Sequence, residues 1–111
     1  MLAKQHRLPT TFFAHKQHHR VCFSWKGLYI HITEYETSSS RVQWGVVIPS
    51  ASIPLAHDRN ALRRRVFEWV RGRGLYTGTG RAIVVFVKKE AKNVSFSLVW
   101  AELEIYRNLR W

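Results

Sequence analysis

The chain is poor in acid. Across 111 residues, seven Asp+Glu face eighteen Lys+Arg, a formal charge of +11, and Asp58 is the only aspartate. A two-metal phosphodiesterase needs several converging carboxylates, and so few scattered acids offer no such cluster. Cysteine is nearly absent as well. Cys22 stands alone, which rules out an internal disulfide and fits a reducing compartment. It lies in a mixed apolar stretch with no catalytic signature, so it is expected as a small buried residue. No apolar run approaches membrane-spanning length, and the opening "MLAKQHRLPTTFF" has no long apolar core. These absences read as a soluble, cytoplasmic protein with no membrane partner. There is also no P-loop, no Ser–His–Asp signature, no internal repeat and no low-complexity block.

What is present is ordinary for a globular chain except in its charge. Hydrophobic residues make up 46% and charged residues 23%, a balance that folds rather than stays disordered. Five Trp, six Phe and four Tyr supply bulk enough for one core, and one domain is expected over residues 1–111. Twelve of the eighteen basic residues are arginine. Its rigid fork of donors suits phosphate, so the excess points to nucleic acid ahead of a membrane surface.

Periodicity places the elements. Residues 10–19, "TTFFAHKQHH", are compatible with a short helix starting near Pro9 and Thr10. "LYIHITEY" (28–35) alternates, with Leu28, Ile30 and Ile32 on one face and Tyr29, His31, Thr33 and Tyr35 on the other. "RVQWGVVI" (41–48) alternates with Val42, Trp44, Val46 and Ile48 on one side. "AIVVFV" (82–87) reads as a central strand covered on both faces. From about Ser95 a last helix shows Phe96, Val99, Leu103 and Tyr106 at helical spacing. The order helix, two strands, helix, strand, helix describes a small α/β sandwich.

The second of these helices carries the strongest signal, "AHDRNALRRRVFEWVRGRG" (56–74). Asp58 can cap it near Arg59, and Gly72 or Gly74 can end it. Leu62, Val66, Trp69 and Val70 form its buried stripe. Asn60, Arg63, Arg64, Phe67 and Arg71 fall on one flank and Arg65 on the other. A face built for solubility mixes charges and pairs Glu with Lys at i, i+4. This one sets like charges side by side, which costs stability until an anion arrives, so a polyanion-binding helix is the better reading than a solvated face.

The stretch "GVVIPSASIPLAHDRNALRRRVFEW" (45–69) resembles the signature region of the bacterial ribonuclease P protein family. Gly45 stands in the strand, Ala56-His57-Asp58 lead in, and Arg59-Asn60, Leu62, Arg63-Arg64-Arg65 and Val66 follow without a gap. "HRL" (6–8) with Phe12 and Phe13 is similar to the family's N-terminal segment, and "AIVVFVKKEAKNVSF" (82–96) to its late strand and the turn into its last helix. Two departures stand out. Ala61 occupies the place of a second arginine, and Pro49-Ser50-Ala51 the place of paired lysines. Either the contacts are redistributed, onto Arg71, Arg73 and Arg81, or the RNA is held more weakly.

The resemblance implies an α/β (α+β) two-layer sandwich with a mostly antiparallel or mixed sheet. It implies a protein subunit that assists a catalytic RNA in removing the 5′ leader of precursor tRNA, with divalent metal (Mg) acting in the RNA. Carried over, Arg59, Asn60, Arg63, Arg64, Arg65 and Arg71 would bind the RNA subunit. Phe12, Phe13, Tyr29 and His31, with Lys4 and Arg7 supplying charge, would line a cleft for the leader. Both roles suit the chemistry: stacking beside a positive groove holds single strands, and arginine holds the phosphates of folded RNA. The implied partners are the catalytic RNA and precursor tRNA, with no obligate protein partner. No protein residue is assigned to catalysis or to a metal. His15, His18 and His19 could share a helix face and hold zinc, but with no fourth ligand evident a polar, RNA-facing histidine group is preferred. The alternatives are a basic ribosomal or RNA-chaperone protein and an autonomous His-dependent metallonuclease.

Overall fold

The computed structural model describes residues 2–15 and 18–111; Lys16 and Gln17 of the expected N-terminal helix lie outside them. After a single turn of 3-10 helix at Lys4–His6, the elements run α1 (Thr10–His15), β1 (Val21–Lys26), β2 (Ile30–Glu36), β3 (Val42–Val47), α2 (Ala56–Arg73), β4 (Arg81–Val87) and α3 (Phe96–Arg110). The four strands form one mixed sheet in the order β1-β2-β4-β3. β1–β2 and β2–β4 are antiparallel, while β3–β4 is parallel. A parallel neighbour needs a crossover, and α2 supplies it.

The sheet has one strand more than periodicity predicts. β1 turns Phe23 and Trp25 toward the main core and leaves Cys22, Ser24 and Lys26 exposed. A register shift between Val21 and Phe23 falls on Cys22, and such an irregularity interrupts the two-residue repeat. Cys22 is therefore an exposed thiol, not the buried residue its surroundings implied. Two other expectations move. β2 begins at Ile30, which leaves Leu28 in the preceding turn and exposed. α1 is described over Thr10–His15, shorter than the predicted 10–19, and His18 and His19 are not part of it.

α2 and α3 pack on one face of the sheet. Trp44 of β3 is the centre of this core, edge-on to Trp69 at 5.9 Å and to Tyr106 at 6.2 Å. Buried indole N–H groups need partners: Trp44 Nε1 donates to the Leu75 carbonyl at 2.6 Å and Trp69 Nε1 to Glu104 at 3.1 Å. The stripe expected on α2 is buried at Val66, Trp69 and Val70, with Leu62 packed against the cluster. Phe67, expected on the basic flank, is buried too. Asp58 is not the cap. The helix starts at Ala56 with Leu55 before it, and Asp58 sits in the first turn, where a negative charge suits the helix dipole. Gly74 does end the helix, in the left-handed conformation (φ +66°). Its N–H and that of Leu75 bond back to Arg71 and Val70, a Schellman closure.

α1 lies on the opposite face, where Phe12 packs with Ala82 and Val84 of β4. That helix is short, and β4 is not covered along its whole length. Phe86, next along the same face, remains 39% exposed.

Candidate nucleic-acid interface

The segment before α1 is stitched to the free edge of β3. Leu2 is buried in the main core. His6 Nδ1 donates to the Val42 carbonyl at 3.1 Å, and the Leu8 N–H to the Trp44 carbonyl at 2.8 Å. Gly45 makes the close approach possible, because a Cβ there would stand 2.7 Å from Phe13 Cζ and 3.0 Å from Leu8 Cδ1. Between this segment, β3 and α2 opens a cleft of about 610 Å³. Lys4, Arg7, Thr10, Phe13, Gln43 and Arg63 line it, Phe67 is part of its wall, and no carboxylate is among its described lining residues. Arg7 Nε is buried there without a hydrogen-bond partner among the described residues.

A second surface lies on the outer face of the sheet. Cross-strand register sets His31 opposite Phe86, Thr33 opposite Val84 and Tyr35 opposite Ala82. Phe12 covers the Tyr35 end, its ring edge-on to Tyr35 at 5.5 Å, and the His31–Phe86 end stays open. Ser24 Oγ lies 2.8 Å from His31 Nε2. Burial, and then the neighbouring charges of Lys26 and Lys88, push the His31 imidazole below its ordinary value. At neutral pH the ring is therefore an uncharged platform with lysines beside it.

The predicted site residues divide between these places. Lys4, Arg7 and Phe13, expected with Phe12 and His31 in one cleft, come together instead with Arg63 of α2. Phe12 is core to the outer face and stacks on His19 at 4.9 Å. Tyr29 is set apart from His31: it precedes β2 and packs against the main core on the other side of the sheet. On α2, Arg63 Nη1 donates to Asn60 Oδ1 at 2.9 Å, so the two side chains form one surface unit, and Arg64 is exposed beside them. Arg59 turns inward, donating to the carbonyls of Ile53 and Pro54 at 2.9 and 2.8 Å. Arg65 lies over the Phe96 ring at 5.0 Å, facing α3. Arg71 pairs with Glu68 at 2.8 Å.

The arginines that were to replace the missing contacts are engaged as well. Arg73 pairs with Glu104 at 2.8 Å and Arg81 with Glu34 at 3.3 Å. Arg73 and Arg81 thereby tie α2 to α3 and β4 to β2, while the Arg71–Glu68 pair lies within α2 on its exposed surface. The acids show the same economy. Glu102 accepts from the backbone N–H groups of Leu28, Tyr29 and Ile30 at 2.7, 3.0 and 3.1 Å, which fixes the β1–β2 turn. Among the described residues no three His, Cys, Asp or Glu stand where they could hold a metal ion; the His15 and His18 rings are 6.0 Å apart. No helix among them is long and apolar enough to cross a membrane.

Comparison with known proteins places this architecture. A family model described as Ribonuclease P matches residues 2–108. The structure is similar to that of the RNase P protein of Thermotoga maritima (TM-score 0.68, 23% identity, covering 90% of this chain and 93% of that one). It is also similar to that of Staphylococcus aureus (TM-score 0.69, 14% identity, 94% of each chain). A mutant of the latter, described as having defective mRNA degradation activity, gives a TM-score of 0.70 at 15% identity, covering 91% of this chain and 84% of that one. No curated protein matches the chain.

Proposed function

Because the chain belongs to the ribonuclease P protein family, a component of a ribonucleoprotein endoribonuclease in which the RNA subunit catalyses, we propose a division of labour between its two surfaces. The Asn60/Arg63/Arg64 flank of α2, with the cleft beside it, holds the RNA subunit through phosphate contacts. The open His31–Phe86 end of the sheet, flanked by Lys26 and Lys88, holds the single-stranded 5′ leader of precursor tRNA by stacking beside positive charge. The protein moves no proton and forms no covalent bond in this reading; it positions two RNAs relative to each other.

One observation carries the reading: Arg59, Arg65, Arg71 and Arg73 are each engaged by a carbonyl, a ring or a carboxylate, while Arg63, bonded only to Asn60 among the described residues, lines a cleft with no carboxylate in its described lining, and Arg64 is exposed next to it on α2. The divalent metal of the reaction belongs with the RNA. Glu34, Glu68 and Glu104 are in arginine pairs and Glu102 holds backbone amides, so these carboxylates are engaged. The test is processing of a precursor tRNA by the catalytic RNA at low magnesium, with and without this protein. Stimulation that depends on the presence of a 5′ leader is expected. No stimulation at any protein concentration overturns the reading.

A further inference from the structure

The edge cleft has a chemistry of its own, separate from the outer sheet face. Its described lining joins three cations, Lys4, Arg7 and Arg63, to the aromatic ring of Phe13, with no carboxylate to draw a metal ion or an amine. Arg7 Nε is desolvated and has no hydrogen-bond partner among the described residues. A buried donor left without a partner costs about 1–3 kcal/mol, a cost that an oxygen anion can relieve if the Arg7 side chain turns its guanidinium toward the cleft. The volume of about 610 Å³ lies within the roughly 300–1,000 Å³ of small-ligand sites, too small for a duplex. Anion-seeking guanidinium and ammonium groups beside an aromatic ring describe the two halves of a nucleotide.

We propose that this cleft takes one unstacked nucleotide of the RNA subunit, its phosphate held by Arg7 and Arg63 and its base against Phe13. The inference rests on the subunit reading above and deepens it, because it assigns the N-terminal segment to the catalytic RNA instead of the leader. Arg63 joins the cleft to the exposed Asn60/Arg64 flank, so a strand crossing α2 can enter the cleft without leaving the basic surface. It also accounts for the two family positions that lack cations here. With Ala61 and Pro49-Ser50-Ala51 uncharged, Lys4 and Arg7 bring charge to the same helix from a different part of the chain.

The experiment follows backbone amides of the full-length protein by NMR during titration with the catalytic RNA, and measures the affinity of two variants, Arg7→Gln and Phe13→Leu. Phe13 and Gly45 amides are expected to shift, and each variant to bind the RNA about fivefold or more weakly, as expected for loss of one stacked base or one phosphate contact. The amide spectrum of each variant reports its folding, and Arg7→Gln leaves the packing at Gly45 untouched. Wild-type binding with unmoved cleft amides and unchanged variant affinities overturns the nucleotide site while leaving the subunit role intact. A wild-type protein that binds no catalytic RNA overturns both. Uridine 5′-monophosphate is the second probe. Filling of the cleft by it without competition from the RNA overturns the assignment in favour of a free-nucleotide site.

Discussion

Glu34 is fully buried in a chain with few acids to spare. Its carboxylate takes hydrogen bonds from Tyr106 Oη at 2.6 Å, Arg110 Nε at 2.9 Å and Arg81 Nη1 at 3.3 Å. Burial raises its pKa, but the Arg110 and Tyr106 hydrogen bonds and the charges of Arg110 and Arg81 outweigh that, and the group is held below the ordinary carboxylate range. Burial and the same carboxylate push the Tyr106 hydroxyl well above its ordinary value. Because the folded-state pKa of Glu34 is depressed, its contribution is present above the unfolded-state pKa and is lost as pH falls through the folded value. Glu34→Gln should destabilise the protein by about 3 kcal/mol at pH 7, since it leaves two guanidinium groups facing an uncharged amide. The difference from wild type should shrink in acid. Urea unfolding at pH 7 and near pH 3 checks both; an equal difference at the two pH values would show that packing, not charge, is what Glu34 supplies.

At the scale of elements, α2 is two surfaces on one helix. The Arg65 and Arg73 side faces α3, with Arg73 over the Trp100 ring at 5.4 Å and paired to Glu104; Asn60 and Arg63 lie on the other side, toward the edge cleft, and exposed Arg64 stands between the two, beside Arg65 on the rim of the α2–α3 groove. Arg63→Ala with Arg64→Ala should lower RNA affinity by about one to two decades at 0.15 M salt and reduce the slope of log K against log salt by about 2, with no loss of thermal stability. Arg65→Ala with Arg73→Ala should do the reverse, costing stability and leaving the slope alone. Equal RNA effects from the two pairs would dissolve the distinction. The helix itself was legible in the sequence: a Val66/Trp69/Val70 stripe and a glycine past its last turn are local features. So was its basic flank. Strand β1 was not, because the irregularity at Cys22 cuts its regular alternation to the four residues Phe23–Lys26, too short a run to stand out. Nor was the grouping of Lys4, Arg7 and Phe13 with Arg63, which depends on the N-terminal segment pairing with the β3 edge over Gly45. A side-chain pattern cannot show that contact, because both partners lie far apart in the chain. Phe67 reads as surface by its helical angle for the same reason, since what buries it comes from elsewhere.

For the molecule as a whole, four of the seven acids, Glu34, Glu68, Glu102 and Glu104, are tied into ion pairs or backbone amides. What remains is an excess of +11 on a body measuring 37 × 29 × 25 Å. At 0.01 M salt the screening length is about 30 Å, comparable to the molecule, and at 0.1 M it is about 10 Å. At low salt nearly every pair of like charges is therefore coupled, and the free protein works against its own field. Salt should then act with opposite signs on folding and on binding. Raising it from 0.01 to 0.1 M should raise the unfolding temperature of the protein alone by a few degrees, given that about 1 kcal/mol corresponds to roughly 4–8 °C in a chain of this size. The same change should weaken its complex with the catalytic RNA. RNA at about a hundredfold excess over its Kd should add ~2.7 kcal/mol to stability, most visibly at low salt, where the phosphates relieve the repulsion that salt has not screened. Thermal unfolding followed with and without the RNA across that range checks the argument. An unfolding temperature of the free protein that stays flat or falls with salt would mean that the internal pairs at Glu34 and Glu104 outweigh the surface excess, and that the basic face carries no strain for RNA to release.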